Sequence, residues 1–157
     1  MTGSAFHIAE VNVGRLIAPV EHPRMVEFVS ALDRINALAD AQPGFVWRLT
    51  GAGNNAVDLR PDPGDALQAI NASIWEGIDQ LAAFAYRTEH REFVRRRHEW
   101  FETPQQPYLA LWWVQAGHTP GLAECIERLA RMRAQGPTPQ AFDFRTRFPA
   151  PAAENAA

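Results

Sequence analysis

An α+β fold built on one four-stranded antiparallel sheet is what this sequence predicts, and three observations carry the prediction. Four short segments rich in β-branched and aromatic residues stand apart from stretches whose apolar residues recur at helical spacing. The segments run strand, helix, strand, strand, helix, strand, with a last helix and an aromatic tail to follow. The chain has 157 residues, 46% apolar and 21% charged, which suits one domain with its own core.

The first strand is FHIAEVNV, Phe6 to Val13. From Arg24 to Asp40 a helix is marked by Val29, Leu32, Ile35, Asn36 and Ala39. Pro43 to Phe45 (PGF) breaks it and opens the second strand, FVWRLT. GAGNNAVDLRPDPGD is a loop by composition, ordered through Val57 and Leu59. ALQAINASIWE, Ala66 to Glu76, is the third strand. Ile78 to Tyr86 and Glu89 to Phe101 are helical, with a break near Arg87 where Thr88 can cap the second piece. YLALWWVQA, Tyr108 to Ala116, is the fourth strand, and Pro120 to Ala134 a helix ended by Gly136 and Pro137. A single domain over 1–157 is expected, with a core at 6–134, a phenylalanine-rich extension at 137–149 and a disordered tail at 150–157.

This order is the ferredoxin-like βαββαβ layout, with helices on one face of the sheet. Four strands of about seven residues present a bare second face of about 300–400 Å², near the upper end of what a soluble monomer exposes as an apolar patch. A second copy of the chain or the phenylalanine-rich tail should cover it.

Residues two apart share a face of a strand. One face of the sheet is then aliphatic, and the other mixes Glu10, Asn12, Asn71, Ser73 and Trp75. Buried polar groups need partners, so the aliphatic side is expected beneath the helices and the mixed side is the candidate pocket. Above the pocket, RTEHREFVRRRHEWF (Arg87 to Phe101) places His90, Val94, Arg97 and Phe101 on one helical stripe. The remaining charges of this segment pair with one another, as Glu92–Arg96 and Arg95–Glu99 at i,i+4. Only His90 and Arg97 are left as inward candidates.

Several function classes drop out. A net charge of −3 argues against nucleic-acid binding. No segment has the apolar length of a membrane span, and the N-terminus has no signal-peptide pattern, so a cytoplasmic location is expected. Cys125 is the single cysteine, which rules out an intrachain disulfide and a cysteine zinc site. There is no lysine, hence no lysine Schiff base and no Walker A loop, and no serine sits in a GxSxG context. His7, His22 and His118 have no ligand spacing, and about 12 Å of helix separates His90 from His98, so no metal site is expected.

PGFVWRL, SIWEGIDQLAAF, TEHREF and the closing GPTP-AF-FR-FP together resemble a bacterial family known as domain of unknown function 3291, over roughly residues 6 to 149. That family is placed in the dimeric α+β barrel superfamily, which implies a homodimer and a small-molecule ligand. Antibiotic-biosynthesis-type and haem-degrading monooxygenases of the superfamily show a similar frame: an asparagine on the first strand, a tryptophan before an acidic residue at the end of the third, and a histidine on the second helix. Asn12, Trp75 (before Glu76) and His90 match these positions, and the resemblance implies that they are the catalytic residues of a cofactor-independent monooxygenase acting on an aromatic or polyketide-like substrate. Asn12 would polarise an oxygen, Trp75 would shape the cavity and donate its N–H, and His90 would take the proton. Arg48, Asn71, Ser73 and Arg97 are the substrate-binding candidates, either arginine able to hold an anion. A non-catalytic ligand-binding or accessory protein and a haem-binding protein are the alternatives. Arg95 stands where the haem-degrading members carry their axial ligand, with His98 as a substitute.

Overall fold

The structure, a computed structural model, describes residues 4–152. Its strands are β1 (Phe6–Arg15), β2 (Phe45–Arg48), β3 (Gln68–Trp75) and β4 (Leu109–Gln115). The helices are α1 (Val26–Asp40), α2 (Ile78–Arg87), α3 (His90–Arg95) and α4 (Leu122–Gln135), with 3-10 turns at Pro23–Met25 and Arg97–Glu99. The sheet order is β2-β3-β1-β4 and all neighbours are antiparallel. The ferredoxin-like α+β arrangement is therefore present. The expected tail from 150 onward lies outside the described residues beyond 152.

Local chemistry sets the ends of these elements. Pro23 pre-sets the turn into α1, and His22 Nδ1 accepts the Arg24 amide at 3.1 Å. Thr88 stops α2 by donating to the Phe84 carbonyl at 2.6 Å while its Oγ accepts the His90 amide at 3.2 Å. Gly136 ends α4 at φ 70°, with its amide on the Met132 carbonyl.

The assignment of faces is where the structure departs from expectation. Helices α1 and α2 lie on the mixed face: Ala39, Ile78 and Leu81 pack with Ile8, Trp75 and Leu111. The aliphatic face (Ala9, Val11, Ile70, Ala72, Ile74, Ala110 and Trp112) is buried instead by Cys125, Leu129 and Met132 of α4 and by Leu49 and Leu59 of the long loop. Helices thus cover both faces rather than one. The reason is topological. The β1-α1-β2 and β3-α2-β4 units each join strands separated by one neighbour, and right-handed crossovers send both helices to the same side whatever its polarity. α4 follows β4 with no such constraint, and its apolar stripe settles on the side left open.

The aliphatic face is therefore closed by the chain itself, which removes the reason for placing a second copy there. The phenylalanine-rich tail does not cover it either. The tail pairs with the free edge of β4, where Leu111 and Phe142 exchange both backbone hydrogen bonds (2.7 and 2.9 Å), shielding an edge that would otherwise pair with other chains. Ala141 falls on the aliphatic side, while Phe142, Phe144 and Phe148 pack on the mixed side. Trp112 and Trp113 do point opposite ways: Trp112 lies beneath α4, and Trp113 donates its indole N–H to the Phe148 carbonyl at 2.9 Å.

The arginine-rich segment pairs differently from expectation. α3 ends at Arg95 and tightens into a 3-10 turn, across which Arg96 meets Glu99, while Arg95 pairs with Glu92 at i,i+3 within α3. Arg96 also grips Glu27 of α1 with both Nη atoms at 2.7 Å, and Arg34 reaches Glu89. These pairs tie α3 to α1 and close the roof over the mixed face.

Candidate functional site

Between the mixed face and helices α1 to α3 lies a cavity of about 260 Å³. β1 and β3 supply its floor, with Glu10, Asn12, Asn71 and Ser73. α1 contributes Phe28, Leu32 and Ile35, and the α2–α3 arm contributes Phe84, His90 and Phe93. Arg97, Phe101 and Tyr108 line one end.

The centre of the floor follows from strand register. Glu10 lies opposite Ser73, Asn12 opposite Asn71 and Ile8 opposite Trp75, so alternation sends four polar side chains to one side. Glu10 is 5% exposed and is the one charged residue in the buried class among the described residues. Asn12 Nδ2 donates to Glu10 Oε1, and Ser73 Oγ donates to Oε2 at 3.1 Å. Trp75 Nε1 in turn donates to Ser73 Oγ at 3.0 Å, which aims the serine proton at the carboxylate. No arginine or histidine forms an ion pair with Glu10 among the described residues. Burial pushes the Glu10 carboxyl up to about 7, against the pull of its bonds from Asn12 and Ser73. A carboxyl poised there can take or give a proton near neutral pH.

His90 opens α3 directly after the Thr88 break. Its Nδ1 lies 3.2 Å from the Ala85 carbonyl, which assigns the proton to Nδ1 and leaves Nε2 as an acceptor. The ring packs on Phe84 at 4.7 Å between centroids, and Phe84 stacks on Trp75 at 5.2 Å. Burial lowers the His90 pKa, so the neutral imidazole is the form present at pH 7.

Arg97 sits in the 3-10 turn after α3. Its guanidinium lies over Phe101 and over Tyr108, each 4.5 Å from the ring centroid. Its Nε and Nη2 are buried with no hydrogen-bond partner among the described residues. Gly14 makes the space: a Cβ there would lie 2.4 Å from the Phe101 ring and 3.0 Å from Arg97 Nη2.

The family described as Domain of unknown function (DUF3291) matches residues 7–157. The chain belongs to this family. No protein of curated function matches the sequence of this DUF3291 member. Among solved structures, SnoaB, a cofactor-independent oxygenase from Streptomyces nogalater, is similar at 16% identity and a TM-score of 0.48, over 73% of this chain and 97% of that one. PA3566 from Pseudomonas aeruginosa is similar at 15% identity and a TM-score of 0.49, over 75% and 100%. The heme-degrading protein Rv3592 from Mycobacterium tuberculosis shares 18% identity at a TM-score of 0.37, over 75% and 99%. At such identities and TM-scores these likenesses carry nothing about chemistry.

Of the residues expected in a site, Asn12, Asn71, Ser73, His90 and Arg97 line this one cavity of the DUF3291 chain. Two do not. Trp75 is fully buried, donates its N–H to the Ser73 hydroxyl and is absent from the lining. Arg48 is absent from the lining, its guanidinium bound to both Asp40 oxygens and to Asn54 through side chain and backbone. A β-bulge at Val46 sets that geometry at the edge strand β2. The residue missed is Glu10. A lone carboxylate in the inward alternation of IAEVNV is the signal that could have found it. His98 and Arg95 are exposed and outside the lining, so the residues present do not suit a haem held at either position.

Proposed function

We propose that this chain binds an aromatic or polyketide-like small molecule in the cavity and oxygenates it without a cofactor, with Glu10 as the proton acceptor. The single observation behind the reading is a buried carboxyl without a cationic partner, oriented from both sides by Asn12 and Ser73, on the floor of an aromatic-walled cavity. Such a group suits proton abstraction from an acidic C–H or phenolic O–H. A substrate of the anthrone type then supplies the electrons itself. Glu10 takes a methylene proton, and the carbanion passes an electron to O₂. The radical pair joins as a hydroperoxide, protonated from Glu10. Loss of the second C–H proton and cleavage of O–O leave a carbonyl carrying one oxygen atom, while the other departs in water. The Asn71 amide, exposed at the cavity, is placed to bind the oxyanion, and the free Nε2 of His90 is a second proton acceptor.

Oxygen consumption with a panel of anthrones and hydroquinones, corrected for the rate in buffer, tests this. Turnover by the wild type and a drop of about 10²–10⁴-fold in Glu10→Gln are expected. No turnover of any member, or an unchanged rate in Glu10→Gln, contradicts it.

One observation favours a non-catalytic ligand-binding protein: both Glu10 oxygens are already engaged by internal donors. On that reading Glu10→Gln and His90→Gln leave ligand affinity unchanged and no product forms. A Soret band on adding hemin would instead favour haem.

A further inference from the structure

The charges on the cavity lining are unbalanced in a way that specifies a ligand. Glu10 is the one acidic residue on the lining, and it is bonded to Asn12 and Ser73. Arg97 and Arg60 also line the cavity, each with a buried Nε that has no hydrogen-bond partner among the described residues. Arg97 has a buried Nη2 without a partner as well. Two arginines against at most one carboxylate leave the lining positive, in a chain whose net charge is −3. Arg48 and Arg96, also half-buried, are bound to carboxylates; Arg128, which is off this lining, shares a buried Nε without a hydrogen-bond partner among the described residues but donates Nη1 to the Gln140 carbonyl.

Arg97 is also held still. Its guanidinium lies over two aromatic rings, each 4.5 Å from the centroid, and the bare Cα of Gly14 lets it lie against β1. A planar fork that is immobilised, partly dehydrated and unpaired is the usual receptor for a carboxylate, which accepts two parallel N–H bonds from it. Phe84, Phe93 and Phe101 on the same lining supply faces for an aromatic ring. We infer that the ligand is an aromatic carboxylic acid, its carboxylate received by Arg97 and its rings held among the aromatic walls. This rests on the cavity being the ligand site, and not on the oxygenation step.

The test compares naphthalene-2-carboxylate with naphthalene-2-carboxamide, which has the same rings and nearly the same shape without the charge, by titration calorimetry on the full chain. The wild type is expected to bind the carboxylate at least about tenfold more tightly than the amide. Arg97→Gln should bring the carboxylate down to the level of the amide and leave the amide unchanged, and Arg97→Lys should keep part of the preference. If Arg97→Gln does not fold by circular dichroism, the wild-type pair and Arg97→Lys still decide. Equal binding of the two probes by the wild type, or an undiminished preference in Arg97→Gln, overturns the inference. Binding of neither probe overturns it together with the ligand-site reading beneath it. A preference for the carboxylate that Arg97→Gln abolishes supports it even when no anthrone is turned over.

Discussion

The two faces of the sheet are made by the same strands and have opposite fates. On one, Ala9, Val11, Ala72, Ala110 and Trp112 are fully buried against α4, and the Cys125 thiol beneath that helix is pushed by burial up to about 12, an inert small hydrophobe. On the other, helices α1 to α3 stand off the strands, and a carboxyl, two amides and a hydroxyl share a cavity with aromatic walls. Close packing is spent on the side without polar groups, and the side that keeps them is left partly unfilled. The difference teaches that strand alternation can separate close packing from polarity, residue by residue.

Substitutions on each face can break or sharpen that contrast. The largest effect is expected on the packed side. Trp112→Ala should lower stability by about 3–5 kcal/mol in urea unfolding, because the cavity it leaves is walled by strands and α4; a loss below about 1 kcal/mol would mean the face is not tightly packed.

Glu10→Gln should act through pH. The folded-state carboxyl is raised from 4.5 to about 7, so the folded protein holds a proton that the unfolded chain has released across that window. The contribution of Glu10 to stability therefore falls as pH rises from about 4.5 to about 7, by roughly 3 kcal/mol, while the lowered His90 pKa acts in the opposite sense. Glu10→Gln should flatten this part of the profile and be the more stable protein at pH 8. Thermal unfolding across pH 4–8 checks it, and identical profiles would remove the buried carboxyl from the account.

Ser73→Ala strips the Glu10 Oε2 and Trp75 Nε1 atoms of their partner. A loss of about 1–3 kcal/mol is expected, and the Glu10 pKa should rise further, since the serine bond holds it down. At the small end, exposed Asn71→Ala should stay within about 0.5 kcal/mol of the wild type while slowing any turnover, a split between stability and rate that packing residues would not show.

Much of this was legible in the sequence. The period-2 alternation of FHIAEVNV and ALQAINASIWE placed Asn12, Asn71 and Ser73 on one face; His90 and Arg97 do line the cavity above it, but α3 ends at Arg95, so Arg97 gets there through the 3-10 turn and not through the helical spacing that pointed to it. Which face the crossing helices would take was not, because crossover handedness decides that and hydrophobicity does not. Glu10 was seen as a member of the mixed face but not as its centre, since only the register reveals that Asn12 and Ser73 converge on it from adjacent strands. That Trp75 and Arg48 lie off the lining was hidden for a related reason: residue type fixes what a side chain can donate, and tertiary neighbours fix where the donation goes.

The most direct measurement is a ¹³C-carboxyl NMR titration of the wild-type protein, with the Glu10 resonance identified by its loss in Glu10→Gln. A midpoint near 7 is predicted, carried by burial on the cavity floor. A midpoint in the ordinary glutamate range would show that water reaches the carboxyl freely, and the floor of this cavity would then hold no poised acid.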